Sequence, residues 1–267
     1  MDKPSVLSRL RTYGWSGLRA NKRRFQWFGI PVGAKDIGGD AYRLLALEIE
    51  RFCRKEGIPT ISSSPFPKVA EGFLPDGWKS NNWATLVVNL QQPEDALWRN
   101  LKKPAKKAIK SARERGVSVR RIDSLQDLRK YYDFACECAT RYGKKMYGFI
   151  DMETMWRHFR SNAIYETFVA EKANELLDGL GIWGFGGMIS EHGAFQSERG
   201  FKEKLYGGDL IKWEVLQWGS RKGYRMYDLA GVSPNPQTGK ERGIRQFKEK
   251  WGGEYQLYLQ VSWRNNM

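Results

Sequence analysis

The sequence predicts a mixed α/β fold in two halves, and three observations lead to this prediction. Amphipathic stretches with helical spacing alternate with short β-branched and aromatic runs along most of the chain. The 267 residues are 41% hydrophobic and 13% aromatic, which is enough for one large or two modest cores. A long helical pattern ends at Gly116, and a new strand pattern begins directly after it. We therefore expect a first domain at 1–116 and a second at 117–267.

The first half is expected to contain an extended segment, a helix and a buried strand. The glycine-rich stretch 25–33 is typical of extended chain and loops. Apolar residues at helical spacing predict a helix over 40–55, which Gly57-Ile58-Pro59 ends. A Ser- and Pro-rich loop at 62–67 then leads to a strand at 83–90, where β-branched residues are frequent.

The first half ends in a strongly basic helix, predicted over 94–115. Pro104 should kink or restart it, and Gly116 is its expected C-terminal cap. Cations surround its apolar side: Lys102, Lys103, Lys106, Lys107, Lys110, Arg113 and Arg115. This face is a solvated surface by default, but it is also suited to contact the phosphates of tRNA or of a nucleotide-linked acceptor.

The second half is predicted to be a helix, a meander of three strands, and then alternating helices and strands. Ser124, with Asp127 three positions on, opens the first helix. Gly184-Phe-Gly-Gly187 lies inside a strand pattern, so we interpret it as a bulge or a close backbone approach. The expected elements are a helix at 124–141, strands at 167–171, 177–189 and 193–198, a helix at 209–222, a strand at 225–229, a helix at 242–248 and a strand at 254–261.

Charge and cysteine content limit the classes of protein that this chain represents. Its formal net charge is +15, which attracts polyanions such as nucleic acid, nucleotide-linked substrates or anionic lipid, although such a charge also serves solubility. Three cysteines and two histidines form neither a disulfide framework nor a zinc set. This content leads us to expect no metal site. No apolar run is long enough for a membrane span or signal segment, so we expect a cytoplasmic protein without stable membrane insertion.

Two motifs lie close together near the C-terminus. The first is Tyr227-Asp228-Leu-Ala-Gly231, and the second is Gly243-Ile-Arg-Gln-Phe-Lys248-Glu-Lys-Trp-Gly252. These segments resemble, position by position, the Tyr-Asp-x-x-Gly and Gly-Ile-x-x-Phe-Lys-x-x-aromatic-Gly motifs of the FemABX peptidyltransferases. Leu210-Ile-Lys-Trp-Glu214 is similar to a helix motif of the same family, and the basic helix is similar to its Lys/Arg-rich helix. Pro104 and Lys106 depart from that pattern.

The resemblance covers residues 83–260 and implies two GNAT-like acyltransferase halves, of which the first is abbreviated here. The element order predicted for 117–267 is also that of a GNAT-type domain. The resemblance further implies transfer of an amino acid from aminoacyl-tRNA to an amine, without ATP, metal or another cofactor. The acceptor would be a cell-wall precursor peptide or a small peptide-like metabolite. The sequence leaves open the transferred amino acid and the oligomeric state.

The resemblance assigns catalysis to Lys248. An amine that attacks an ester forms a tetrahedral oxyanion, which a fixed cation within hydrogen-bond reach stabilises. The alternative is that Lys248, beside Glu249 and Lys250, is an ordinary charge on a solvated helix. The surrounding motif favours catalysis.

Five residues are candidates for substrate binding: Phe247, Asp228, Trp213, Glu214 and Arg199. Phe247 is expected in the core, beside the channel in which the ester lies. Asp228 is expected to hold a basic group or to cap the turn after its strand. Trp213 is expected to be buried, and Glu214 either supports it or orients a substrate amine.

Two observations concern the donor and the competing functions. Gly207-Gly208 precedes a predicted helix, where free backbone amides could hold an anion, but the Arg/Gln-x-x-Gly-x-Gly/Ala pattern of CoA-dependent GNAT enzymes is missing there. This argues against an acyl-CoA donor. The main alternative is still a GNAT-type N-acyltransferase with an acyl thioester donor. A non-catalytic RNA-binding module would explain the charge but not the Phe-Lys motif.

Overall fold

The computed structural model describes residues 24–25, 38–160 and 164–265. They form two compact units, one comprising the described residues up to Ala84 together with those from Leu257 onward, and the other comprising Thr85 to Gln256. Both units combine helices with β-strands, so the predicted mixed α/β class is confirmed. No helix in the described ranges is both long and apolar enough to cross a membrane. The extended segment predicted at 25–33 lies outside the described residues except for Phe25.

The first unit packs one helix on a small group of strands. Its strand order is β1-β2-β9-β3; β2 pairs in parallel with β1 and antiparallel with β9. Tyr42 and Ala46 of the helix pack on Phe66 of β2 and on Leu259 of β9. The elements are β1 (Arg24–Phe25), α1 (Gly39–Lys55), β2 (Thr60–Pro67), a 3-10 helix (Lys68–Ala70), and parts of β3 (Trp78–Asn89) and β9 (Glu254–Arg264).

The second unit holds the rest of the chain and has strand order β3-β8-β7-β6-β5-β4. Neighbours from β4 to β7 are antiparallel, whereas β7 and β8 are parallel. Its complete elements are α2 (Glu94–Asn100), α3 (Lys103–Glu114), β4 (Ser118–Arg121), α4 (Leu125–Arg141), α5 (Phe149–Phe159), β5 (Tyr165–Lys172), β6 (Glu175–Phe185), β7 (Met188–Gln196), α6 (Glu198–Lys202), α7 (Gly207–Arg221), β8 (Met226–Val232) and α8 (Gly239–Glu249).

Helices of the second unit cover both faces of its strands. On one face, Leu128 and Tyr131 of α4 and Met152 of α5 form a buried cluster with Val169 of β5. On the other face lies α7, whose side chains are mostly buried. The Trp218 ring of α7 meets Phe168 edge to face, with 5.6 Å between ring centroids. This burial fixes α7 firmly, so polar side chains that α7 carries are held in place by the core.

The domain boundary expected at Gly116 does not coincide with the division into compact units. Gly116 closes α3 with a φ of +76°, as predicted, but α3 packs against α7. The strand after Gly116, β4, pairs with β5. Both sides of this glycine therefore belong to the second unit, and the basic helix belongs with the C-terminal motifs.

Three local predictions need correction. Residues 62–67 form most of strand β2 rather than a loop, because β9, distant in sequence, supplies its antiparallel partner. The predicted strand 177–189 is divided between β6 and β7 by a turn at Gly186-Gly187, both with positive φ, as in tight hairpins. The glycine-rich segment therefore contains a hairpin turn and not a bulge. The other alternative, a close approach to the backbone, is found at Gly184, where the Tyr224 side chain leaves no room for a Cβ atom. Helices α5 and α6 were not predicted, and the predicted strand 193–198 ends at Gln196 because α6 begins at Glu198. The restart at Pro104, which lies in the first turn of α3, is confirmed.

Candidate active site

The candidate active site lies in the second unit, where two parallel strands stop pairing. β7 and β8 pair only from Met188–Met226 to Ser190–Asp228, although β7 continues to Gln196 and β8 to Val232. The Tyr-Asp-x-x-Gly motif lies across this point. In open α/β sheets, ligands bind beyond the carboxyl ends of parallel strands, so this end of β8 is a favourable position for a site.

Lys248 approaches this point from α8. Its Nζ donates a hydrogen bond of 3.0 Å to the main-chain carbonyl of Gly231 in β8. Burial lowers the pKa of Lys248, against the opposing effect of the Glu191 carboxylate. No carboxylate among the described residues forms an ion pair with it. An ammonium group has three N–H donors, so Lys248 is a partly buried cation with donors left for a ligand oxygen.

Asp228 shapes the end of β8 from which Gly231 projects. Its Oδ1 accepts a 2.8 Å hydrogen bond from the Ala230 amide, and Ala230 has a φ of +63°, which is uncommon for a residue with a side chain. The Thr85 hydroxyl of β3 reaches both the Asp228 carboxylate and, at 2.9 Å, the Ala230 carbonyl. Of the two roles expected for Asp228, it therefore performs the turn-capping one. Burial raises its pKa.

A buried ion pair beside this turn was not predicted from the sequence. Glu191 of β7 accepts hydrogen bonds from Lys212 of α7 and, at 2.7 Å, from the Tyr227 hydroxyl of β8. The side chains of Lys212 and Glu191 are only 6% and 9% exposed. The sequence could have indicated the burial of Lys212, because this charged residue lies between the apolar Ile211 and Trp213. It gave no indication for Glu191, which lies between the polar residues Ser190 and His192.

Phe247 differs from its expected core position. Its side chain is 36% exposed, and its ring lies 4.0 Å from the Lys250 ammonium and 5.5 Å from that of Lys212, measured to the ring centroid. The residue of this helix end that enters the core is Trp251, which is fully buried. Phe247 therefore presents a partly exposed aromatic face, with cations near it, beside Lys248.

The other three predicted substrate-binding residues have partners within the protein. Trp213 is buried, as expected, and meets the Trp98 ring edge to face at 5.0 Å. Glu214 pairs with Arg113 of the basic helix at 3.3 Å, which is a structural role, although the partner expected for it was Trp213. Arg199 of α6 pairs with Glu175 and Glu203. The structure thus brings together Lys248, Asp228 and Phe247, and it adds Thr85, Glu191 and Lys212 to them.

The basic helix α3 begins beside this cluster. The Lys102 amide, at the start of α3, donates a 2.9 Å hydrogen bond to the Lys250 carbonyl at the end of α8. Lys106 donates to the Arg99 carbonyl at 2.9 Å, while Lys102, Lys103, Lys107 and Lys110 are exposed. The first turn of α3 contains no acidic residue, although acidic residues normally stabilise that end of a helix. The charges of these lysines and the positive end of the helix dipole therefore reinforce each other at the start of α3.

Within the described ranges, no group of three or more His, Cys, Asp or Glu side chains is placed to hold a metal ion. The polar groups of the site are instead ammonium, carboxyl and hydroxyl groups held by the protein itself. Such a site suits acid–base and electrostatic chemistry on an organic substrate.

Solved structures share the fold of this chain. FemX matches 83% of this chain and 76% of its own, with a TM-score of 0.64 and 12% identity. The match to L-PGS from Bacillus licheniformis covers 85% of this chain and 74% of that protein's chain, with a TM-score of 0.58 and 15% identity. The match to the C-terminal domain of a putative lysylphosphatidylglycerol synthetase from Agrobacterium fabrum covers 84% of this chain and 74% of that domain's chain, with a TM-score of 0.54 and 12% identity. No family model and no curated protein matches the sequence. The chain therefore has a Fem-like fold, as the motifs predicted.

Proposed function

We propose that this protein is an acyltransferase that moves an aminoacyl group from aminoacyl-tRNA to an amine, with Lys248 as its catalytic residue. The amine attacks the ester carbonyl carbon, a C–N bond forms, and the carbonyl oxygen becomes an oxyanion. When this intermediate collapses, the C–O bond to the ribose breaks. The leaving hydroxyl takes up the proton that the amine gives up, so the products are an amide and free tRNA.

The environment of Lys248 is the observation that carries this proposal. Its ammonium is partly buried, held in position by the Gly231 carbonyl, and without a carboxylate partner among the described residues. The neighbouring Lys212 and Lys250 are instead paired with Glu191 and Asp209. A fixed cation in a partly desolvated position stabilises a developing oxyanion by several kcal/mol, and Lys248 is the lysine in this cluster whose charge is left for such a task.

The basic helix supports tRNA as the donor. Its exposed lysines are joined to the Lys248 helix through the Lys102–Lys250 main-chain hydrogen bond. Phosphates bound along α3 would therefore lie on the same compact unit as the catalytic ammonium. Two kinds of acceptor fit the proposal: a cell-wall precursor peptide, or a small peptide-like metabolite with a free amine.

A donor comparison tests the proposal. The protein is incubated with a pool of radiolabelled aminoacyl-tRNAs and amine acceptors, with and without nuclease, and in parallel with acyl-CoA thioesters. We expect acceptor-dependent transfer of label from tRNA that nuclease abolishes and that the Lys248→Ala variant lacks. Transfer from the thioester alone would establish the alternative N-acyltransferase, and binding of tRNA without any transfer would establish an RNA-binding module.

A further inference from the structure

A buried carboxyl group fills the N-terminal end of α7. Tyr206, the residue before this helix, has a φ of +57° and caps it with no side-chain hydrogen bond. Asp178 of β6 takes that place: it is 3% exposed, and it accepts a hydrogen bond from the Gly208 amide. Its Oδ2 faces Gly207 so closely that a Cβ atom there would lie 2.4 Å away. The glycine is therefore required for the approach of this carboxyl group.

The position that Asp178 occupies is one in which helices commonly bind phosphate. The first amides of a helix have no partner within it, and the dipole makes that end positive, so an anion is stabilised there. In this chain a carboxyl group of the protein itself takes that place. Asp178 Oδ2 is buried, has no hydrogen-bond partner among the residues that the structure describes, and points at the start of the helix.

A second carboxyl group strengthens the negative charge at this helix end. Asp209, in the first turn of α7, is 6% exposed and paired with Lys250. Burial raises the pKa of Asp178 to about 7, and the charge of Asp209 adds to this rise. An incoming phosphate would thus meet a filled position and two acidic groups, of which Asp178 has no cationic partner in the described part of the chain.

We propose that Asp178 is a specificity-determining residue, whose carboxyl group occupies the anion position at the start of α7 and excludes the diphosphate of a CoA-linked or nucleotide-linked donor. This deepens the proposed function, on which it rests, because it explains how a GNAT-like fold favours an aminoacyl ester over an acyl thioester. On this proposal, Gly207 leaves room for the Asp178 carboxyl group and the Gly208 amide donates to it, so neither glycine binds an external ligand.

Calorimetric titration at pH 8 with inorganic pyrophosphate and with coenzyme A tests this role. Asp178→Ser empties the position, and Asp178→Asn removes the charge while keeping the size. Asp133→Asn, at an exposed site on α4, is the control for the change in net charge. We expect Asp178→Ser, which empties the position, to bind pyrophosphate and coenzyme A at least about tenfold more tightly than the wild type. Asp178→Asn, which keeps the position filled and removes the charge alone, should gain affinity for pyrophosphate by a smaller factor.

The proposal is overturned if the wild type binds these ligands as tightly as the Asp178 variants do. It is also overturned if neither variant gains affinity over Asp133→Asn. Should Asp178→Ser fail to fold, Asp178→Asn alone decides, because it preserves the packing. Binding is measured without turnover, so failure here is distinguishable from failure of aminoacyl transfer, which the donor comparison measures on the wild type.

Discussion

The Lys248 ammonium donates a 3.0 Å hydrogen bond to the Gly231 carbonyl, and this contact joins the two sequence motifs of the C-terminal region. Gly231 follows Ala230, whose left-handed backbone is held by Asp228 and Thr85. We therefore expect the position of the ammonium to depend on the buried Thr85 hydroxyl, on a strand that is far away in sequence. Removing any part of this chain of contacts should have its own measurable effect.

Replacement of Lys248 by alanine should reduce aminoacyl transfer about a hundredfold or more, because a lost oxyanion donor costs a few kcal/mol in the transition state. The free energy of unfolding should change little, since Lys248 is desolvated and forms no ion pair within the described ranges, so its removal offsets the lost packing. Lys248→Arg should rescue little, because a planar guanidinium does not replace a compact ammonium. Single-turnover rates and urea unfolding measure the two effects.

The matched control for this change is Lys240→Ala, which removes an exposed lysine from the same helix. It should transfer at the wild-type rate. Near-normal turnover of Lys248→Ala, under conditions where the chemical step limits the rate, would remove Lys248 from the mechanism.

Thr85→Val should lower kcat more than it changes KM. The substitution preserves shape but leaves the buried Asp228 carboxyl group and the Ala230 carbonyl without the hydroxyl, at a cost of about 1–3 kcal/mol in stability. The loosened turn would then hold Gly231, and hence Lys248, less firmly. Thr85→Ser restores the hydroxyl and should restore kcat. If the serine and valine variants show equal kcat values, the hydroxyl does not position Lys248.

Much of the fold could be predicted because it is encoded locally. Helices such as α1 and α4 carry their apolar stripe and end signals within one segment, and Ser124 caps α4 by accepting from the Asp127 amide as expected. Strand β2 could not be predicted in this way. Its two prolines and three serines favour a loop locally, and only pairing with β9, some two hundred residues later, makes it a strand.

The site was predictable to the extent that its residues lie in contiguous motifs. Lys248, Asp228 and Phe247 are recognisable in two short segments. Thr85 and Glu191 are single polar residues in strands, and their importance arises only when β3, β7 and β8 become neighbours. The exposure of Phe247 was missed for a related reason: the buried aromatic residue in this segment is Trp251, one helical turn further on.

The stability of the wild type relative to Asp178→Asn should depend on pH. The folded-state pKa of Asp178 is raised from 3.8 to about 7, so between these values the folded protein holds a proton that the unfolded chain releases. The contribution of Asp178 to stability is therefore fully present below about pH 4 and is lost as the pH rises through 7. We expect the advantage of Asp178→Asn in unfolding free energy to grow by roughly 1–4 kcal/mol between pH 5 and pH 8.

Urea unfolding of both proteins at the two pH values measures this difference. Titrating groups distant from Asp178 act equally on the wild type and the variant, so they cancel in the comparison. Parallel pH profiles for the two proteins would mean that Asp178 titrates normally in the folded state.

The basic helix provides the last prediction. Reversing Lys106, Lys107 and Lys110 to glutamate should raise the KM for aminoacyl-tRNA about tenfold or more, but leave the KM for a minimal aminoacyl ester nearly unchanged. The reason is that neutralised phosphates release counterions, so the wild-type affinity for tRNA should also fall steeply with salt. Initial rates with both donors, at several salt concentrations, measure these effects.

The control variant reverses Lys130, Lys144 and Lys145, which are exposed lysines of the same unit, and it changes the net charge by the same amount. If both triple variants weaken tRNA use equally, only the overall field matters, and α3 is not a specific contact surface. If the α3 reversal affects the acceptor alone, these lysines bind a phosphorylated or nucleotide-linked acceptor. Donor use that is indifferent to salt and to both reversals would contradict tRNA as the donor, because phosphate contacts of this kind depend on charge and require no base-specific recognition.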